Sequence, residues 1–274
     1  MELQILTKED IKRQAPVVLA DKPTRKVSDH YTFVDNEVVI DDMEKLGWYP
    51  TQVSQRSRRS GVNSKFSPHL IKFSNPDLRI ITDTDDISYP QILLQNRHDG
   101  LGSFKFSAGV YRLVCSNGLI IATASFGEFK VHHRGYDFSE IRQMVEQRTL
   151  ALPEQVNVMN DMKERMLTKE ERRELAFKGL FLRSRVSTEK EKEFRGQIDL
   201  VTLEDILEPI RPQDAGPDLW NTYQVVQEKM IKGGFHTQLG MEGKVRKVKP
   251  IKSFLSDLDL NKGLFDEAVV MLEN

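Results

Sequence analysis

The sequence predicts an α+β fold: a mainly antiparallel sheet from the N-terminal half, with helices from the C-terminal half packed on or beside it. Three observations lead there. Through residue 136 the apolar residues fall in short β-branched or aliphatic runs bounded by Asp, Asn, Pro or Gly, the punctuation of strands and turns. From Asp137 onward they recur every three or four residues, as on one face of a helix. No internal repeat of ~20–50 residues is present, which disfavours a solenoid or propeller. The expectation is one α+β domain over 1–274, strand-rich in 1–136 and helix-rich in 137–274.

The first half supplies Val38-Val39-Ile40, Leu78-Arg79-Ile80-Ile81 and Ile92-Leu93-Leu94 as strand candidates. Gln52 to Arg58, Phe104-Lys105-Phe106 and Phe126 to His132 join them. In the second half, Ile141, Val145, Arg148 and Leu152, then Val156, Met159, Met162 and Met166, mark helix faces. Pro153 divides them into two helices or a kinked one. Thr168-x-x-Glu171 is a capping-box pattern opening a helix to about Arg183. A short helix is expected after Thr202, ended by Pro209 and Pro212. Gly216-Pro217 opens another, with Pro at the first helical position, Gly233-Gly234 past its end, and Trp220 and Tyr223 in the core. Gln227-Glu228 would lock that helix against the sheet. A last helix covers Asp266 to Leu272. Ser187–Gly196 reads as a mixed-charge surface connector, and Gly234–Pro250 as a loop, glycine-rich and then basic.

Composition narrows the function classes. Lys plus Arg number 40 and Asp plus Glu 41, so a charged binding site must be a local patch rather than a property of the whole molecule. The single cysteine, Cys115, excludes an intramolecular disulfide and a cysteine-rich zinc module, and its apolar surroundings suit a buried, inert thiol. No run approaches the ~20 apolar residues of a membrane helix. The start, Met1-Glu2-Leu3-Gln4-Ile5, lacks the pattern of a signal peptide, so a cytoplasmic protein without membrane partners is expected.

Two basic runs stand out. Between Glu44 and Asp77 there is no acidic residue, while Arg56, Arg58, Arg59 and Lys65 are interleaved with Trp48, Tyr49 and Phe66. Cations can neutralise phosphates and aromatic rings can stack on unpaired bases. The plainer alternative is a solvated hairpin whose basic tip faces Asp83, Asp85 and Asp86. The second run is Lys244, Arg246, Lys247, Lys249 and Lys252, behind the Gly233-Gly234 break. Such a loop can clamp a nucleic-acid backbone, or simply be solvated.

Metal signals are weaker. His132-His133 on a strand would face opposite sides, and no spacing requires His69 or His98 to join them. Asp83-x-Asp85-Asp86 lies where a turn is expected anyway. Asp257-x-Asp259-x-Asn261 begins like a calcium loop but lacks the glycine and glutamate that should follow. No phosphate-cradling glycine loop or dinucleotide fingerprint is present, so no cofactor is expected.

Two distant stretches carry a family resemblance: Phe106-Ser-Ala-Gly-Val-Tyr-Arg-Leu-Val-Cys-Ser-Asn-Gly-Leu119, and Leu219-Trp-Asn-Thr-Tyr-Gln-Val-Val-Gln-Glu-Lys-Met-Ile-Lys-Gly-Gly234. Together they resemble the phage/plasmid-like proteins known as domain of unknown function 932, over about Gln91 to Lys252. The resemblance implies a mobile-element protein of the kind often encoded beside single-strand-binding and annealing genes. It assigns no reaction and no catalytic residue. The expected function is therefore a non-catalytic nucleic-acid-binding protein, acting on single-stranded DNA in recombination, repair or annealing. In it Arg56, Arg58, Arg59, Lys65, Lys244, Arg246, Lys247 and Lys249 would hold backbone, while Trp48, Tyr49 or Phe66 stack. A protein that binds and modulates a host protein is the second reading. A metal-dependent nuclease resting on Asp83, Asp85, Asp86 and His98 is the third. A homo-oligomer is compatible with each.

Overall fold

The computed structural model describes every residue except 1–2, 25–26, 28–30, 56–65, 79, 82–86, 100–103, 113–117, 120–128, 132–136, 151, 238–245 and 274. The α+β class is as the sequence predicts. The chain groups into two compact units, Met1–Pro153 and Glu154–Asn274. Among the described residues no helix is long and apolar enough to cross a membrane.

The first unit opens with α1 (Lys8–Gln14), a 3-10 turn (Pro16–Leu19) and α2 (Asn36–Lys45). Its strands are β1 (Tyr49–Gln55), β2 (His69–Ser74), β3 (Ile80–Ile81), β4 (Ile87–Asn96), β5 (Phe104–Arg112), β6 (Gly118–Leu119) and β7 (Phe129–Val131). They form one antiparallel sheet in the order β1-β2-β4-β5-β6, with β3 also on β4 and β7 also on β5. The helix α3 (Phe138–Leu150) closes the unit, and its Ile141, Met144 and Val145 enter the same core as Ile71, Phe73, Ile92, Leu94 and Phe104.

Val38-Val39-Ile40, expected as a strand, lies inside α2. Asp35 decides the matter: its carboxylate accepts the Glu37 N–H at 2.8 Å and starts a helix, which then buries Val39, Ile40 and Met43 on one face. A short apolar run is ambiguous by period alone, and the cap resolves it.

One polar contact ties this unit together. Asn36, wholly buried at the start of α2, donates through Nδ2 to the Val18 carbonyl at 2.8 Å and to Nε2 of His69 at 2.7 Å. Its Oδ1 accepts from Nδ2 of Asn96 at 2.9 Å. His69 and Asn96 are direct register partners on β2 and β4. The His69 ring therefore accepts at Nε2 and carries its proton on Nδ1, which donates to the Ser67 carbonyl at 3.0 Å. His98 stacks at 4.8 Å from His69, and Nε2 of His98 lies 3.3 Å from the same Asn36 amide.

The second unit is helical: α4 (Leu152–Glu164), α5 (Lys169–Ser184), α6 (Glu191–Arg195), α7 (Leu200–Leu207), α8 (Leu219–Lys232) and α9 (Phe254–Glu273), with a small hairpin of β8 (His236–Thr237) and β9 (Arg246–Lys247). Pro153 indeed separates two helices and sits in the first turn of the second. Thr168 and Glu171 form the expected capping box. Pro217, expected at the first helical position, lies just before α8, which Asp218 caps by accepting the Asn221 N–H at 2.9 Å. Gly233 ends that helix at φ 68°, where a Cβ would lie 2.4 Å from the Val248 carbonyl oxygen.

Three expectations give way here. The connector 187–196 contains α6, because Phe194 is buried against Phe177 and Phe181 while Arg195 pairs with Glu174 and lies 3.6 Å over the Phe177 ring. The last helix begins twelve residues earlier than Asp266, at Phe254. Its polar Asn261 is buried and accepts from Gln227 of α8 at 2.5 Å. Glu228 binds Arg211 rather than any strand, with oxygen–nitrogen distances of 3.0 and 2.5 Å, and Arg211 also reaches Asp214 at 2.8 Å. Gln227 and Glu228 thus lock α8 to partners within the helical unit.

Two outcomes follow. Burial pushes the His69 pKa down to about 4, and a second proton at Nε2 would oppose the Asn36 amide donor. The unfolded chain takes up that proton below the ordinary value of 6.5. The His69 contribution is therefore complete above pH 6.5 and is lost as pH falls from there towards 4. It amounts to roughly 3 kcal/mol at most. Thermal melts should show the midpoint falling across that window, and His69→Gln should flatten the fall. Glu228→Ala should destabilise by about 3 kcal/mol, near the low end for breaking a buried pair because Asp214 stays with Arg211; urea titration measures it.

Candidate functional site

The described cations divide into paired and unpaired. In the helical unit Arg173 pairs with Glu204, Lys178 with Glu191, Arg195 with Glu174 and Arg211 with Glu228. By contrast Arg246, Lys247, Lys249 and Lys252 are exposed and form no ion pair among the described residues. No acidic residue interrupts 246–252.

This segment is held by its backbone. Gly234 donates to the Val248 carbonyl at 2.9 Å, Val248 returns a bond to the Phe235 carbonyl at 2.9 Å, and Ile251 donates to the Ile231 carbonyl at 2.8 Å. Arg183, near the end of α5, donates through Nη2 to the Lys249 carbonyl. The anchoring uses main-chain atoms and one arginine, which leaves the four cationic heads to solvent.

Beside the segment lies a pocket of about 630 Å³. Arg183, Arg185 and Lys252 supply its positive charge, Ser253 and Ser256 its hydroxyls, and Asp259 its one carboxylate. Arg185 follows α5 in the left-handed conformation at φ 54°, and its Nη2 donates to Oγ of Ser256 at 2.7 Å. Burial lowers the Arg183 pKa, and its Nη1 is buried with no hydrogen-bond partner among the described residues. Sequence reasoning missed this pocket. Arg183 and Arg185 at a helix C-terminus look like ordinary complements of the helix dipole, and nothing local places Lys252 and Ser256 beside them.

The residues singled out from the sequence distribute unevenly. Arg246, Lys247 and Lys249 are in the exposed segment. Arg56, Arg58, Arg59, Lys65 and Lys244 lie outside the described residues, as do Cys115, Asp83, Asp85, Asp86, His132 and His133. Trp48 is 2% exposed within the first unit's core, so its ring has no face to offer a base. The reason is its place between α2 and β1, where a large apolar side chain is drawn inward. Tyr49 is half-buried on β1. Phe66 is half-buried at a cleft of about 550 Å³ that it shares with Pro16, Val17, Lys22 and Gln55. His69 and His98 do come together, but as wholly buried rings bound to an amide. Among the described residues no cluster of three or more His, Cys, Asp or Glu could hold a metal ion.

Known proteins resemble the chain over nearly its whole length. The UPF0380 protein YfjQ of Escherichia coli (strain K12) is 29% identical over 268 residues, covering 97% of this chain and 92% of its own. The UPF0380 protein YafZ of the same organism is also 29% identical over 268 residues, with the same coverage. No solved structure matches. Residues 23–261 match the family described as Domain of unknown function (DUF932), and the chain belongs to that family.

Proposed function

We propose that this chain binds single-stranded nucleic acid in the cytoplasm, gripping the phosphate backbone through Arg246, Lys247, Lys249 and Lys252, and serves recombination, repair or annealing on a mobile element. The observation that carries the reading is that, among the described residues, none of these four cations has a carboxylate partner, in a helical unit that pairs so many others. Charge left unpaired costs little at a surface and gains most where phosphates bring counter-charge and release their own counterions. The role is binding rather than catalysis. Arg56, Arg58, Arg59 and Lys65 take the same role on the strength of the sequence pattern, with Tyr49 or Phe66 for stacking.

Fluorescence anisotropy with an oligo-thymidine strand tests this. The expected result is binding at low salt that weakens linearly on a log–log plot. Replacing Arg246, Lys247, Lys249 and Lys252 together by Ala should flatten that slope by up to roughly 0.7 log units per lost contact. It should leave the melting temperature nearly unchanged, because exposed charges contribute about 0–1 kcal/mol each. The Arg56→Ala, Arg58→Ala, Arg59→Ala triple variant should flatten the slope as well. An intact protein that fails to bind at low salt overturns the proposal.

A further inference from the structure

The exposed segment accounts for contact along a strand but uses only Lys252 of the adjoining pocket. Three cations, Arg183, Arg185 and Lys252, line it against the single carboxylate of Asp259. Two of the cationic groups are fixed in direction before anything binds: Arg183 by the Lys249 carbonyl and Arg185 by Ser256 Oγ. A guanidinium held by one nitrogen keeps its remaining donors in a plane of known orientation, which suits the oxygens of a phosphate. Nη1 of Arg183 is a further donor of that plane, buried and without an acceptor among the described residues. Leaving a charged donor unsatisfied is costly, and a small turn of the Arg183 guanidinium towards an acceptor in the pocket would recover that cost. The hydroxyls of Ser253 and Ser256 offer further donors on the same wall.

We infer that this pocket is a phosphate-binding site, built to hold one phosphate group more tightly than the surface lysines beside it can. The excess of two positive charges favours a phosphate over a simple carboxylate. The volume of about 630 Å³ admits a phosphate with part of the group that carries it, whether a small phosphorylated molecule or one nucleotide of a strand. The apolar remainder of the lining, Leu182, Pro250, Ile251 and Leu260, would flank that carrier. The strand as the source rests on the function proposed above, whereas the phosphate site itself does not.

The test uses the full chain and inorganic phosphate as the probe, with chloride and acetate at matched ionic strength as controls. Millimolar phosphate should raise the melting temperature where the controls do not, and isothermal titration should show one saturable site. Arg185→Asn with Lys252→Gln should weaken phosphate binding at least roughly tenfold, as expected for losing charge-assisted hydrogen bonds. Asn tolerates the left-handed backbone at that position, and Lys252→Gln alone provides a second variant at an exposed, unpaired residue. Phosphate should also displace the oligo-thymidine strand from the unaltered protein more strongly than chloride does.

The outcomes separate the two proposals. A phosphate effect no larger than that of chloride, or one unchanged in both variants, overturns the pocket assignment even if the strand still binds. Saturable phosphate binding lost in the variants, with no strand binding, supports the pocket and assigns it to a small phosphorylated molecule. Phosphate binding with competitive displacement of the strand supports both.

Discussion

A single buried carboxamide governs the strand-rich unit. Asn36 has two amide hydrogens and one oxygen, and they reach the 3-10 turn at Val18, β2 at His69 and the end of β4 at Asn96. Turning the amide over would place its NH₂ against that of Asn96 and its oxygen against the Val18 carbonyl, so only one orientation satisfies every partner. A network that is satisfied in one arrangement only specifies register as well as stability. The register pair His69–Asn96 cannot slip by a residue without turning both side chains to the opposite face of the sheet.

That dependence explains what the sequence could and could not reveal. Strands with plain apolar runs, such as Ile92-Leu93-Leu94 within β4, were legible because burial and β-propensity point the same way. The capping box at Thr168 was legible because both of its partners sit within one turn. The α2 segment was not, since Val-Val-Ile prefers strands and only the cap at Asp35 and the packing of Val39 and Met43 decide for helix. The early start of α9 was hidden for the converse reason. Asp257, Asp259 and Asn261 look like a loop, yet Asn261 is buried by a bond to Gln227, a residue thirty-four positions away. Contacts at that separation leave no local trace.

The candidate site follows the same division. The charge of Arg246, Lys247 and Lys249 was readable, because a run of cations needs no partner to be noticed. Their lack of a carboxylate partner among the described residues was not readable, for it depends on where the acidic side chains of the unit are spent. Trp48 shows the limit of composition: an aromatic residue amid basic ones suggests stacking, but its burial in the core takes precedence. Similarly, His69 and His98 meet, but in a buried, amide-lined position where neither ring faces solvent.

The glycine that ends α8 has a further consequence. With no side chain at Gly233, the main chain of Val248 comes close enough to be pinned by Gly234 and Phe235, and the Ile251 bond extends the pinning three residues further along the segment. The cationic segment is thereby rigid before any ligand arrives. Ordering a flexible basic loop would cost roughly 1–2 kcal/mol of backbone entropy per residue; a segment already ordered forfeits almost none of it. On the proposed function, its contacts would be spaced by the fold and not by the ligand, so that a strand of matching phosphate spacing would bind with little adaptation and discrimination among polyanions would rest on geometry as well as charge.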